Sequence, residues 1–109
     1  MKNKPVHALS VVVVDLKSAA EHYQTWRADG REHVLSKYDE IVSSIGVGPD
    51  SFPRKFGMVQ RAILKQSYYV VYFMQEPDHS LVLAVLDGRR NPDEITKIIR
   101  VRATPRGRD

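Results

Sequence analysis

The chain has 109 residues, 42% of them hydrophobic and 28% charged, and it contains no cysteine. The length predicts a single domain over residues 1–109, and the composition is that of a globular protein. Disulfides and thiolate chemistry are excluded, and no segment approaches the roughly 18 apolar residues that a membrane helix needs. A chain without disulfides suits a reducing compartment, so we expect a cytoplasmic protein with no membrane segment.

The net charge is +4, and the basic residues are unevenly distributed. One basic cluster consists of Arg54, Lys55, Arg61 and Lys65, and a second begins at Arg89 and continues along the C-terminal part of the chain. Basic clusters favour acidic proteins or nucleic acids as partners. Solubility explains the excess equally well, so charge by itself does not decide between these interpretations.

The first part of the chain predicts a strand followed by a helix. Residues 6–14 (VHALSVVVV) are rich in β-branched side chains, which favours a strand. Asp15 is the predicted N-cap of the helix, and Asp29-Gly30 is its predicted end. One apolar stripe recurs at helical spacing, formed by Leu16, Ala19, Ala20, Tyr23 and Trp26. The aromatic side chains of this stripe are expected in the core.

A second helix is predicted almost at once, ending at Gly46. Its apolar face is formed by Val34, Leu35, Tyr38, Ile41, Val42 and Ile45. Two amphipathic helices joined by a short turn predict an antiparallel helical hairpin. Residues 46–53 (GVGPDSFP) contain two glycines and two prolines and predict a loop after it.

The second half of the chain predicts strands joined by short turns. The strands are residues 58–65, 68–75 and 81–86, separated by turns at 66–67 and 76–80. Short links between extended segments predict a three-stranded antiparallel meander.

Helix-start signals follow the last strand. Asn91 can cap, Pro92 suits the first helical position and Glu94 can complete a capping box, which predicts a short C-terminal helix. Residues 103–109 are expected to form a flexible tail. Helices grouped before strands predict an α+β fold, in which the N-terminal strand joins the meander along an edge.

The sequence predicts neither a metal site nor a bound cofactor. No cysteine or paired histidine stands at ligand spacing, and the histidines are expected on the surface or in turns; they are His7, His22, His33 and His79. Nucleophile-elbow and phosphate-loop motifs are absent. Paired carboxylates occur at Asp39-Glu40 and Asp93-Glu94. Both pairs lie on predicted helices, where they are explained as solvent-exposed charges and not as an acid–base pair.

A basic and aromatic set around the predicted meander remains as the candidate site. It consists of Arg61, Lys65, Tyr68, Tyr69, Tyr72, Arg89 and Arg90. Arg61 and Lys65 lie four residues apart on one predicted strand, which places them on one face. Arginine forks bind phosphate and carboxylate, so the set can hold a phosphodiester or an acidic peptide. Arg61 and Lys65 are explained equally well as ordinary charged side chains on the solvent-exposed face of a sheet that has no function in binding.

These motifs resemble the RelE/ParE superfamily of small toxins from bacterial toxin–antitoxin pairs, and its ParE, or plasmid-stabilisation, branch in particular. The resemblance is carried by residues 61–64 (RAIL), 68–73 (YYVVYF) and 83–92 (LAVLDGRRNP). The family has an arginine in the first meander strand, a tyrosine-rich second strand and a turn similar to V-x-H-G-x-R-x-P after the third. Asp87 stands where the family often has histidine, and an acid there is expected to form an ion pair with one of the following arginines.

The resemblance implies one of two activities. RelE-like members cleave messenger RNA in the ribosome with basic residues, here Arg61, Arg89 and Arg90, and with a tyrosine or histidine near the C-terminus. In this chain the last tyrosine is Tyr72 and the last histidine is His79, and neither follows the final predicted strand. ParE-like members lack that set and poison DNA gyrase by binding. The sequence therefore favours a non-catalytic gyrase toxin; the alternatives are a ribosome-dependent endonuclease and a non-toxic family member that acts as a binding module.

Both branches imply a protein partner. A cognate acidic antitoxin is expected to cover apolar and basic surface of the toxin in a hetero-oligomer, and the positive net charge would speed that association. The residues expected to contact the target or the antitoxin are Arg61, Lys65, Tyr69, Asp87, Arg89 and Arg90.

Overall fold

A short parallel strand and two helices precede an antiparallel sheet and a last helix in the structure, a computed structural model that describes residues 3–104. In chain order the elements are β1 (Val6–Ala8), α1 (Val12–Gln24), α2 (Gly30–Val47), a 3-10 turn (Pro49–Ser51), β2 (Arg54–Phe56), β3 (Val59–Ile63), β4 (Tyr69–Gln75), β5 (Ser80–Asp87) and α3 (Pro92–Ala103). The predicted α+β class is confirmed. Ala103, the first residue of the predicted tail, is helical, and residues 105–109 lie outside the described part of the chain.

The strands form one sheet in the order β1-β5-β4-β3-β2. The predicted meander is confirmed, because β3, β4 and β5 pair antiparallel in succession. The predicted edge position of β1 is also confirmed, and β1 lies parallel to β5. The sequence did not predict β2, which pairs with β3 through a turn at Gly57, where φ is +53°. Three residues are too few to show a strand pattern, so β2 becomes visible only through its pairing.

Helices cover both faces of the sheet. On β4, the Tyr69 ring contacts the Tyr23 ring of α1 with centroids 5.8 Å apart. Val70 and Tyr72 line a groove together with Ile95 of α3. Successive side chains of a strand point to opposite faces. The α1–α2 hairpin therefore covers one face, and α3 packs on the other.

Residues 12–14 are helical, so the prediction of one strand over residues 6–14 is wrong. The Leu9 N–H still donates to the β5 backbone at 3.1 Å, but the Val12 N–H already donates to Leu9 O at 2.9 Å. Val12 is buried, whereas the two valines after it are exposed. Burial of one helical stripe of α1 outweighs the β preference of the valine run, because strand propensity depends strongly on context.

Asp15 lies in the first turn of α1 and is not its N-cap, which corrects the prediction. Its carboxylate accepts from Val85 N–H at 2.9 Å and from two nitrogens of Arg102 at 2.6 and 3.2 Å. Arg102 also donates to Leu83 O at 3.0 Å. β1 pairs only with residues 80–82 of β5. Asp15 and Arg102 therefore bind the β5 backbone past the end of that pairing, at Val85 N–H and Leu83 O. We call this ion pair the edge clamp, and it joins α1, β5 and α3.

The junction of α1 and α2 also differs from the prediction. α1 ends at Gln24 and α2 begins at Gly30, so Asp29-Gly30 opens the second helix instead of closing the first. A Cβ at Gly30 would lie 2.2 Å from the backbone oxygen of Tyr23, which explains why glycine stands there. Trp26 follows the end of α1 and is 60% exposed, so its predicted place in the core is wrong.

The other helix ends lie close to their predicted positions. α2 continues one residue past Gly46. At the start of α3, the Asn91 side chain accepts from a first-turn N–H at 2.8 Å, and Pro92 occupies the first helical position, as predicted. The Glu94 carboxylate accepts from Arg90 and does not close a capping box within the described residues. No helix within residues 3–104 is long and apolar enough to cross a bilayer.

Candidate functional site

Arg61 lies in an open groove on the face of the sheet that carries α3. It stands directly opposite Tyr72 in the β3–β4 register. The groove has a volume of about 170 Å³, and its walls include Lys55, Phe56, Arg61, Tyr72, Arg90 and Ile95. We call it the basic groove. Arg61 and Arg90, two of the residues grouped in the candidate site from the sequence, both line this groove.

The electrostatics of the basic groove are set by Arg61 and Tyr72. Within the described residues, the Arg61 side chain makes no hydrogen bond or ion pair. Burial raises the pKa of the Tyr72 phenol, and the neighbouring Arg61 charge offsets part of that rise. Tyr72 is therefore a neutral phenol at physiological pH. Arg61 is a free guanidinium beside it, and such a group suits a carboxylate or phosphate.

The two arginines after β5 are each held by a carboxylate. Arg89 binds Asp87 through two side-chain contacts, at 3.2 and 2.9 Å, and its backbone N–H donates to the same carboxylate at 2.9 Å. The predicted ion pair at Asp87 is thereby confirmed. The hydrogen bond from Arg89 lowers the pKa of Asp87 below its ordinary value, despite a partial burial that opposes it. Arg90 pairs with Glu94.

Tyr69 and Asp87 face the opposite side of the sheet from Arg61. They are paired across β4 and β5 and line a second groove of about 400 Å³ with Ser18 and Arg90. Burial raises the pKa of Tyr69, with smaller contributions in the same direction from Asp87 and Tyr23. Arg90 follows β5 and lines both this groove and the basic groove, although the two grooves lie on opposite faces of the sheet.

Lys65 does not share a site with Arg61, so the prediction that they lie on one strand face is wrong. β3 ends at Ile63, and Lys65 lies in the turn that follows. It lines a small cavity of about 100 Å³ beside Lys37 and Glu40 of α2. The strand alternation used in the prediction stops where the hydrogen-bonded ladder stops.

Sequence reasoning missed part of the surface. Lys55 and Phe56 line the basic groove, but they belong to β2, which was not predicted. In the sequence, the only signal for this part of the groove was the basic cluster to which Lys55 belongs. Trp26 and Tyr68 line a further groove between the α1–α2 and β3–β4 turns. Nothing in the linear pattern links these two distant residues.

The histidines do not form a metal site. His22 and His33 contact the Tyr23 ring, with centroids 5.9 and 6.4 Å away, and the Nε2 atom of each is buried. These two are therefore more buried than the predicted surface or turn histidines. His7 stacks on His79 at the other end of the sheet, with centroids 4.7 Å apart. Across residues 3–104, no three His, Asp or Glu side chains are placed to share a metal ion.

The strand order, the helical hairpin and the last helix define an α+β fold with helices on both faces of one sheet. No protein-family model matches the sequence, and neither does any curated protein. Among solved structures, the chain is similar to a chain of the "Chromosomal ParDE TA system from P. aeruginosa", with a TM-score of 0.56 and 16% identity. The match covers 75% of this chain and 92% of the other. At this identity the likeness shows a shared fold.

Proposed function

We propose that this chain is the toxin of a type II toxin–antitoxin pair and is ParE-like in its action. The observation that carries the proposal is the fold shared with a chain of a ParDE TA system over 92% of that chain. The basic groove supports it, because Arg61 offers a free cation on an accessible face of the sheet. The sequence motifs that carry the ParE resemblance lie on the strands and turn that build this groove.

We further propose that the toxin acts by binding DNA gyrase and not by cleaving RNA. Cleavage needs cations free to stabilise a phosphorane and a group poised for proton transfer. Arg89 and Arg90 are already paired with Asp87 and Glu94, which argues against such a role. All four histidines lie within residues 3–104, and none of them lines the basic groove. Tyr72 does line it, but its raised pKa opposes loss of its proton.

The proposed antitoxin is an acidic protein segment that reaches the basic groove. Carboxylates of such a segment can pair with Arg61, which has no partner among the described side chains, and with Lys55 nearby. The net charge of +4 would raise the rate of association with an acidic partner. Neutralisation then follows if the antitoxin covers the surface that the cellular target needs.

The first experiment separates the proposed activities. Induction of the chain alone in bacteria is expected to arrest growth, and the purified protein is expected to inhibit DNA supercoiling by purified gyrase. Growth arrest with ribosome-dependent messenger cleavage and unchanged gyrase activity would establish the RelE-like alternative. Unaffected growth at a confirmed expression level would leave only the non-toxic binding module.

A matched pair of variants tests the role of the basic groove. Arg61→Ala is expected to weaken gyrase inhibition by tenfold or more, in the range typical of a central interface arginine. Lys17→Ala makes the same change of charge at an exposed position of α1, on the opposite face of the sheet, and is expected to leave inhibition unchanged. Equal inhibition by both variants would remove the basic groove from the proposed mechanism.

A further inference from the structure

An apolar groove lies next to the basic groove, between α3 and the β2–β3 hairpin. It has a volume of about 390 Å³, and its walls include Phe56, Val59, Thr96, Ile99, Arg100 and Ala103. Among the described residues that line it, Arg100 is the only charged one. Phe56 also lines the basic groove, so the two grooves share a wall. We call the two grooves together the α3 channel.

The α3 channel is open because α3 does not cover the whole of its face of the sheet. α3 packs over β5, whereas β2 and β3 lie at the far edge in the strand order. Ile63 of β3 is 56% exposed, although strand alternation places it on the same face as Arg61. Apolar side chains left exposed beside a groove are typical of an interaction surface.

The α3 channel follows α3 along its length. Pro92 and Ile95 line its basic end, and Ala103 and Thr104 line its apolar end. With a rise of about 1.5 Å per residue, the 12 residues of α3 span about 18 Å. Roughly five extended residues, or about three turns of a helix, match that length. The channel is therefore long enough for a short peptide segment.

The α3 channel is positively charged in both of its grooves. The basic groove is lined by Lys55, Arg61 and Arg90, and the apolar groove by Arg100. Within the part of the chain that the structure describes, no carboxylate lines either groove. Lys55, Arg61 and Arg100 also form no ion pair with any described side chain. Their charge is therefore available to carboxylates of a partner.

This combination of charge and apolar surface disfavours a second copy of the chain and a nucleic acid. A second copy that presented the same face would bring like charges together. A single-stranded nucleic acid binds by stacking its bases on aromatic rings. Phe56 is the one aromatic residue among the described walls of the apolar groove, and its ring already lies against Tyr72, with centroids 6.0 Å apart. An acidic peptide with aliphatic side chains matches both grooves.

We propose that the α3 channel receives an acidic amphipathic segment of the antitoxin. Aliphatic side chains of this segment occupy the apolar groove, and its carboxylates pair with Arg61 at one end and with Arg100 at the other. The identity of the partner rests on the proposed toxin function, whereas the chemistry of the segment follows from the channel itself. Arg100 is thereby a second charged anchor, on a different element from Arg61.

The test measures the binding of synthetic peptides to the full chain by fluorescence anisotropy. The probe is a dye-labelled peptide in which glutamates stand on both sides of a pair of leucines, and its Kd is expected to be on the order of tens of micromolar. One control peptide has glutamine in place of glutamate, and the other has alanine in place of leucine. Each control is expected to bind about tenfold more weakly or less tightly still, because it lacks the charge or the apolar surface. Equal affinity of the probe and either control overturns the proposal.

Variants of the chain locate the binding in the α3 channel. Arg100→Gln is expected to weaken binding of the probe about five- to tenfold. Lys97→Gln removes the same charge from the same helix at an exposed residue that lines neither groove, and it is expected to bind like the wild type. Equal losses in these two variants would show attraction by net charge alone and contradict the proposal.

The shared wall is tested in the same way. Phe56→Ala is expected to weaken binding about tenfold, whereas Val101→Ala removes a 65% exposed side chain of α3 outside both grooves and is expected to have no effect. Wild-type affinity in Phe56→Ala contradicts the proposal. If that variant does not fold, the comparison of Arg100→Gln with Lys97→Gln decides, because both side chains are exposed.

Other occupants of the α3 channel give different results. Displacement of the probe by a short oligothymidine assigns the channel to a nucleic acid and overturns the proposal. A dimer that forms in the wild type and is lost in Arg100→Gln assigns it to a second copy and also overturns the proposal. Gyrase inhibition is measured on the same preparation. Peptide binding without inhibition contradicts the toxin function and supports the channel as a site for an acidic segment, whereas inhibition without peptide binding contradicts only the channel.

Discussion

Removal of the edge clamp is expected to destabilise the protein more than any surface ion pair would. The side chain of Asp15 is 8% exposed and that of Arg102 is 17% exposed. Asp15→Ala leaves a largely buried guanidinium without its carboxylate and leaves Val85 N–H without its acceptor. Arg102→Ala leaves the largely buried carboxylate without its guanidinium, although Val85 N–H still donates to it, and removes the donor to Leu83 O. We therefore expect both single variants to lose stability through the same interaction.

The expected magnitude follows from the burial of the pair. Breaking a buried ion pair by removing one partner costs about 3–5 kcal/mol. The partial exposure of Arg102 places the loss at the lower end, about 3–4 kcal/mol for each single variant. The double variant is expected to lose about as much as either single one, since both remove the same contact. The coupling energy between the two positions, which is the sum of the single losses minus the double loss, is then about 3–4 kcal/mol. Domains of this size unfold with about 5–15 kcal/mol in total, so the loss is large.

Urea unfolding measures these differences directly. With a slope of about 2 kcal/mol per molar, each single variant is expected to shift the unfolding midpoint down by roughly 1.5–2 M. Glu40→Gln is the control, because it breaks the surface pair of Lys37 and Glu40 and should cost less than about 0.5 kcal/mol. Losses below about 1 kcal/mol in both single variants, with additive effects in the double variant, would refute a stabilising role for the clamp.

Three further predictions concern local features. Gly30→Ala is expected to cost more than about 2 kcal/mol, because the new Cβ meets the Tyr23 backbone, and a melting temperature near that of the wild type would contradict this. Asn91→Ala removes the side-chain cap of α3 and is expected to cost about 1 kcal/mol in urea unfolding, with no change counting against the cap. Arg89 lowers the pKa of Asp87 in the folded state. The wild type is therefore expected to be more stable than Asp87→Asn above about pH 4, and this difference in stability is expected to disappear as the pH falls through the lowered pKa. A stability difference that does not change with pH would argue against the pair.

The candidate site shows which parts of a site a sequence can reveal. An ion pair of Asp87 with one of the two following arginines was predicted, and Arg89 is the partner because it lies two residues away in the same turn. The grouping of Arg61 with Lys65 failed because it assumed that β3 continues past Ile63. Where a strand ends depends on its hydrogen-bonded neighbours, and those are distant in sequence.

The departures in the first helix have the same cause. A run of valines favours a strand by local preference, yet Val12 begins a helix whose buried stripe packs against the sheet. Asp15 has the residue type of an N-cap, but it binds Arg102 across 87 positions of sequence. Local propensities amount to tenths of a kcal/mol per residue, whereas burial of a side chain and pairing of a buried charge contribute several times more.

By itself, the sequence determined the α+β class, the two helices, the meander and the start of α3. Each of these follows from side-chain periodicity or from capping residues within a few positions, so it is encoded locally. Tertiary structure alone decided the position of β2, the edge clamp, the open basic groove and the groove that Trp26 and Tyr68 line. These features join residues far apart in the chain, and only the packing of helices on both faces of the sheet brings such residues into contact.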